Sequence, residues 1–313
     1  MQGPNPPTSR PGPGWREYGA VMDEQSFDAR RMHPALAGAV VLVTGAGRGM
    51  GAIYARRAVE GGARAVSLWD VDDDAARRVA GSLARVGVEI EVRRVDLGDR
   101  DAVVGAAREV VERFGRVDVL VNNAGVVRGA PFWEHDPVAD IEATMRVNTL
   151  APMWLTRAVL PSMMADTTRP KRILNIASAA GTLANPNMSV YAASKWALIG
   201  WSESLRLELS RLGYGHVAVT TFCPSYVSTG MFAGARGPLL TPIMTPETAA
   251  AAAWSGMLRG APLVLRPWTV KLAMALRGVL PVRWWDAVAG KVFKVYSSMD
   301  EWTGRRDPAL TRD

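Results

Sequence analysis

The sequence predicts an α/β fold in which one parallel sheet carries helices on both faces. Three observations predict it. Short β-branched apolar runs alternate with helix-length stretches from residue 39 to residue 223. The first run ends in a glycine cluster that opens a helix. The residues best suited to chemistry stand just past the ends of later runs. Strands alternating with helices of this length imply right-handed crossovers and therefore a doubly wound parallel sheet.

Taken in order, Ala39-Val40-Val41-Leu42-Val43 is the first strand, and Ala65–Trp69 is the second. A helix is expected from Asp73 to Val86, a third strand over Glu89–Val95 and a helix over Asp99–Phe114. Val117–Val121 forms a fourth strand that stops at Asn122-Asn123-Ala124-Gly125. One long helical region, Val138 to Met164, leads to a fifth strand, Arg172–Ala177. A helix over Val190–Leu212 and a sixth strand, Val217–Cys223, follow. After Pro224 the rhythm breaks into glycines, prolines and threonines over residues 225–247, then a helix through Ala249–Ala253, with 263–265 as the candidate seventh strand.

Bulk properties narrow the class. The 313 residues carry 37 Lys and Arg against 30 Asp and Glu, a net charge of +7 with no long run of one sign, which argues against nucleic-acid binding. Cys223 is the only cysteine, so an intrachain disulfide and a cysteine-rich metal site are excluded, and a cytoplasmic setting is expected. His33, His135 and His216 show no metal-ligand spacing, and no metal is expected. Residues 1–36, with Pro4, Pro6, Pro7, Pro11 and Pro13, read as a flexible arm rather than a signal peptide. No apolar run is long enough to span a bilayer. The expected division is an arm over 1–36, a catalytic domain over 37–265 and an amphipathic extension over 266–313.

Thr44-Gly45-Ala46-Gly47-Arg48-Gly49-Met50-Gly51 lies between the first strand and a helix. Residues without Cβ allow a tight turn and close approach of backbone to a pyrophosphate, and the helix N-terminus offers free N–H groups to negative charge. The glycines fit two frames, Gly47-x-Gly49-x-x-Ala52 and Thr44-Gly45-x-x-x-Gly49-x-Gly51. Asp70 ends the second strand, where a carboxylate accepts from ribose hydroxyls and repels a 2′-phosphate. Arg48 argues the other way, but Asp70, Asp72, Asp73 and Asp74 make the rim acidic, so NAD is favoured over NADP. Asp96 with Leu97 follows the third strand, placed either to face the adenine or to cap the next turn.

Tyr191-Ala-Ala-Ser-Lys195 sets a phenol and an ammonium one helical turn apart. A nearby cation favours phenolate, so Tyr191 can exchange a proton with a carbinol. Ser178, at the end of the fifth strand, can hydrogen-bond the substrate oxygen, since ligands bind at the carboxyl ends of such strands. Asn148 offers an amide that can hold a water linked to Lys195.

In this order, Thr44–Gly51, Asn122–Gly125, Asn148, Ser178, Tyr191 and Lys195 resemble the short-chain dehydrogenase/reductase family over roughly residues 37–265. The resemblance implies a single Rossmann-type domain with about seven parallel strands. It implies Tyr191 as acid/base, Ser178 as substrate stabiliser, Lys195 as ribose ligand and activator of Tyr191, and Asn148 on a proton-relay water. It places Asn123, Ala124 and Gly125 along the cofactor, with Pro224, Val227 and Thr229 at the nicotinamide. It implies a homodimer or homotetramer. One departure stands out: Pro224-Ser225 occurs where the family has Pro-Gly, which puts the loop's backbone angles in doubt.

The substrate reading is an alcohol, aldehyde or ketone, lipophilic because residues 225–247 offer Met231, Phe232, Leu239, Leu240, Ile243 and Met244 with Arg236 as their only charge before Glu247. Simple packing of these residues on the domain is equally open. Leu68-Trp69-Asp70 and Ser298-Met299-Asp300-Glu301-Trp302 look similar to the retinol, hydroxysteroid and long-chain alcohol dehydrogenase branch. Trp268, Trp284, Trp285 and Trp302 in the tail seal core or dimer contacts in the first reading and touch a membrane surface weakly in the second. The alternatives to an NAD-dependent alcohol dehydrogenase are an NADP-dependent ketoacyl-type carbonyl reductase and a nucleotide-sensing protein without turnover.

Overall fold

The computed structural model describes residues 33–84, 87–239 and 241–304. The proposed arm falls almost wholly outside them, as does Leu240. The chain runs β1 (Val40–Thr44), α1 (Gly49–Glu60), β2 (Ala65–Asp70), α2 (Asp73–Leu83), β3 (Glu89–Arg94), α3 (Arg100–Phe114) and β4 (Val119–Asn122). Residues 137–165 are one winding: π-helical Pro137–Glu142, α4 (Ala143–Met145), π-helical Arg146–Leu150 and α5 (Ala151–Ala165). Then come β5 (Lys171–Ile176), α6 (Ser189–Arg211), β6 (Val217–Pro224), α7 (Pro246–Leu258), β7 (Leu263–Arg266), α8 (Trp268–Val279) and α9 (Val282–Ala287).

All seven strands are parallel, in the order β3-β2-β1-β4-β5-β6-β7. The order reverses between β1 and β4, so their carboxyl ends diverge into a crevice. Period-2 alternation builds the two faces: Val41 and Val43 of β1 pack with α1 and α7, while Val40 and Leu42 pack with α3 and α5. Asp72 caps α2 by accepting from the Ala75 amide, and Asp99 caps α3 through the Asp101 and Ala102 amides. Thr245 caps α7 ahead of Pro246. The first two caps fix helix starts within a few residues of the ends of β2 and β3.

At the opposite edge, Lys171 Nζ lies 2.7 Å from Asp118 Oδ1, with both side chains fully buried. The other Asp118 oxygen accepts from the Val40 amide at 2.8 Å, so one carboxylate ties the starts of β1, β4 and β5. Burial raises the Asp118 pKa, but the bonds from Lys171, Val40 and Arg116 outweigh it and hold the carboxyl below its usual range. Removing one partner would strand a buried charge.

The sequence differs from the structure in two places here. Ala35 and Leu36 are already buried against the domain, ahead of the expected first ordered residue. The long helix before β5 contains two wide turns rather than being uniformly α, for a reason that lies in the site.

Candidate functional site

The crevice is floored by the turn from β1 into α1. Gly45 and Gly49 adopt left-handed backbone angles, with φ of +63° and +54°. A Cβ on Gly51 would stand 1.9 Å from the Gly45 carbonyl oxygen, so no side chain fits there. Arg48 precedes α1 with no side-chain cap, which leaves the first amides of the helix for an anion. Asn123 secures this turn by donating to the carbonyls of Thr44 (2.9 Å) and Gly45 (3.1 Å), and Thr44 Oγ1 accepts the Asn123 and Ala124 amides. Met50 points its sulphur at the Tyr54 hydroxyl.

At the rim, Asp70 accepts from Gly47 N at 2.8 Å and from Asp72 N at 3.0 Å. Arg48 is bound to Asp72 at 2.8 Å, so its guanidinium is partly neutralised by the acidic rim. Asp96 accepts from the Gly98 amide at 2.8 Å, the capping role left open above, while Leu97 packs partly against the α3 side of the core. A bare-backbone cradle, uncapped helix amides and an acid at the tip of β2 fit a nicotinamide dinucleotide.

The reacting residues gather at the ends of β4, β5 and β6. Ser178 follows β5, and its Oγ accepts from the Ala180 amide at 3.1 Å. Tyr191 and Lys195 share the inner face of α6, both nearly buried, with Lys195 Nζ 5.7 Å from the Tyr191 ring centre. Lys195 Nζ donates to the Ile176 carbonyl at 2.9 Å, which pins it beneath β5. Gly125 makes room for it: a Cβ there would lie 3.2 Å from Asn148 Oδ1 and 3.5 Å from Lys195 Nζ.

Burial pushes the Tyr191 phenol up to about 12, with the Ser178 hydroxyl pulling the other way. Burial likewise brings Lys195 down to about 8. Burial of the phenol thus opposes the fall in the Tyr191 pKa anticipated from the neighbouring cation.

Asn148 is also used differently from the sequence expectation. Its Oδ1 accepts from the Val126 amide at 2.8 Å, and its Nδ2 donates to the Val126 carbonyl (2.8 Å) and to Ser194 Oγ (3.1 Å). The amide is thus spent on protein, holding the segment after β4 against α6. The Asn148 main-chain carbonyl is the better candidate for a water, because its helical donor four residues on is Pro152, which has no N–H. Pro152 and the clamp on Val126 account for the wide turns at 146–150.

Past β6, Ser225 keeps an ordinary backbone: it is absent from the left-handed residues, and its amide donates to the Arg266 carbonyl at 2.8 Å. Serine therefore fits where a glycine was expected. Val227 bridges to Met244, and the Thr229 methyl would lie 3.5 Å from a Cβ on Gly49, so this loop reaches back over the glycine turn. Pro224 ends β6 beside buried Cys223, whose thiol burial pushes up to about 12.

A cavity of about 190 Å³ opens from Ser178 and is lined almost wholly by carbon. Of the five described apolar loop residues named from sequence, only Phe232 lines it; Leu239 and Ile243 are exposed, Met244 belongs to the main core and Met231 packs beside the Tyr191 cluster. The walls come instead from Leu183, Met188 and the inner side of α8. Sequence reasoning missed one polar cluster on this wall. Tyr226 Oη lies 2.7 Å from Ser298 Oγ, and Asn185 donates to both at 3.2 and 3.3 Å, joining the tail to the Ser178 loop. Its only sequence signal was the tail stretch beginning at Ser298. Among the described residues no cluster of candidate metal ligands exists.

Residues 39–238 match the family model described as short chain dehydrogenase. Among curated relatives, estradiol 17-beta-dehydrogenase 11 of Rattus norvegicus is 34% identical over 258 residues, 82% of this chain and 85% of that protein. Epidermal retinol dehydrogenase 2 of Mus musculus is 32% identical over 79% of this chain and 80% of that protein. Among solved structures, a short chain dehydrogenase/reductase from Burkholderia phymatum in complex with NAD superposes with a TM-score of 0.70 at 27% identity, covering 78% of this chain and 94% of that one. A metagenomic short-chain oxidoreductase in complex with NADP gives a TM-score of 0.61 at 34% identity, covering 74% and 96%.

Proposed function

This chain belongs to the short-chain dehydrogenase/reductase family, and from that membership we infer that it is an NAD-dependent oxidoreductase interconverting a lipophilic alcohol and its ketone or aldehyde. One observation carries the reading: Tyr191 stands beside Lys195 and is hydrogen-bonded by Ser178, which itself borders a carbon-lined cavity. The names of the relatives, an estradiol and a retinol dehydrogenase, support the same class of bulky apolar alcohol.

A bound nicotinamide would supply the acceptor or donor of hydride. Ser178 Oγ holds the carbinol oxygen beside Tyr191. In oxidation Tyr191 Oη takes the hydroxyl proton while the C–H pair leaves as hydride; in reduction the phenol returns it. A pKa near 12 makes Tyr191 a ready acid at neutral pH and a base only at higher pH. Lys195 stands ready for the ribose, and the Asn148 carbonyl for a relay water. Asn123 to Gly125, Pro224, Val227 and Thr229 line the same path, with Asp96 and Leu97 at the adenine end.

NAD is preferred in this reading because Asp70 guards the ribose and Asp72 occupies Arg48. The proposed setting is cytoplasmic. The proposed assembly is a homodimer or homotetramer through the helices around Asn148 and Tyr191, where Leu150, Trp196 and Leu207 are exposed. A ketoacyl-type reductase fits less well, since the cavity offers little to a charged carrier.

The test is a spectrophotometric panel: purified protein, NAD or NADP, and alcohols of increasing chain length at alkaline pH. Specificity should rise about three- to fourfold per methylene until the cavity is filled, from about 0.8 kcal/mol per buried CH₂. Cofactor binding with no turnover of any alcohol or carbonyl would instead identify a nucleotide sensor.

A further inference from the structure

Helix α8 is apolar both where it borders the cavity and where it meets solvent. Val270, Ala273 and Leu276 border the cavity that ends at Ser178. Toward solvent, Ala275 and Val279 continue a helical stripe with Trp268 and Leu272, which border the cavity mouth as well, and all four are exposed. Trp268 is 64% and Val279 83% exposed. The surface continues onto α9, where Val282 and Trp284 are 73% and 70% exposed while Trp285 turns into the core. Contiguous exposed apolar area of this kind marks a contact surface.

Charge selects the partner. From Arg266 to Lys294 the chain carries Arg266, Lys271, Arg277, Arg283, Lys291 and Lys294 against a single acid, Asp286. Asp286 accepts from the Tyr296 hydroxyl at 2.6 Å, and Arg277 is engaged by the Thr182 carbonyl and the Trp196 ring. Lys271, Arg283 and Lys291 remain exposed around the apolar stripe. Indole rings flanked by long cationic side chains suit the boundary between lipid headgroups and acyl chains. Among the described residues no helix is long and apolar enough to cross a membrane, so the segment would lie on the surface.

We propose that α8 and α9 dock on an anionic lipid surface and that the cavity behind α8 draws its apolar substrate from that surface. The second half rests on the alcohol and carbonyl reading above. Helix α8 then stands between acyl chains on one side and the Ser178 end of the cavity on the other, so a lipophilic alcohol can reach the site without crossing water.

Sedimentation with vesicles of phosphatidylcholine, with and without phosphatidylserine, tests the docking. The full chain should bind the phosphatidylserine vesicles. Binding should weaken about tenfold or more in Lys271→Glu/Arg283→Glu, and also in Val279→Glu/Trp284→Glu, which removes the apolar contact. Vesicles carrying a long-chain alcohol should raise kcat/KM for it in the wild type and not in Val279→Glu/Trp284→Glu, while a short soluble alcohol is oxidised equally by both. Absence of binding to anionic vesicles overturns the docking and leaves the oxidoreductase reading intact if the short alcohol is still turned over. Light scattering that shows Val279→Glu/Trp284→Glu splitting a stable dimer also overturns it, since the stripe would then be a protein interface. Vesicle binding with no oxidation of either alcohol overturns the substrate-feeding half together with the oxidoreductase reading.

Discussion

Asp70 accepts the amide proton of Gly47 at 2.8 Å, so the acid at the tip of β2 and the glycine turn at the tip of β1 are one structural piece. The residue proposed to screen the ribose also braces the glycine turn.

Cofactor choice should follow from this pair. Replacing both Asp70 and Asp72 by Ser removes the charge facing a 2′-phosphate and frees Arg48. The ratio of kcat/KM for NADP over NAD should rise about a hundredfold, the order expected for relief of a like-charge contact. An unchanged ratio in steady-state kinetics would place the discrimination elsewhere.

Tyr191→Phe should lower turnover by about 10²- to 10⁴-fold, the range for losing a positioned proton donor. Cofactor affinity, followed by quenching of tryptophan fluorescence, should hardly change. Ser178→Ala should lower turnover as well, because it removes both the substrate contact and the hydrogen bond that favours phenolate. Wild-type turnover in the Tyr191→Phe protein would dismiss the phenol as acid/base.

Burial holds Tyr191 protonated up to about 12. Oxidation needs the phenolate, so its kcat/KM should climb with pH throughout the range in which the protein survives. Reduction needs the phenol and should stay flat over the same range. Parallel pH profiles of the two directions provide the check.

Lys195 gives a stability prediction with a defined sign. Its folded pKa, about 8, lies below the ordinary lysine value of 10.5. Between these values the unfolded chain binds more protons than the folded one, so wild-type stability gains with rising pH. Relative to Lys195→Met, the wild type carries the full cost of the buried charge below pH 8 and loses it as pH approaches 10.5, a change of a few kcal/mol in order of magnitude. Thermal melts of both proteins across that window should converge.

Much of the sheet was legible because each strand is a short apolar run closed by a turn residue. The seven runs from Val40 to Arg266 match expectation to within a residue or two. Ser178, Tyr191 and Lys195 were legible because strand ends and helix spacing place them without tertiary knowledge. Asn148 shows the limit. Its position could be read, but its use could not, since the competition between Val126 and a water for one amide is settled only by packing. The cavity wall was less legible still. Phe232 lies near the site in sequence, whereas Leu276 and Ser298 arrive from far along the chain, and apolar composition cannot say which side of α8 faces inward.

The Ser298 hydroxyl meets Tyr226, and the Trp302 indole lies over Gly129 while donating to the Met231 carbonyl at 3.2 Å. The last wall of the site is therefore made of residues that leave the ribosome after every strand has been synthesised. A nascent chain can complete its sheet and glycine turn while the reaction chamber still lacks a side.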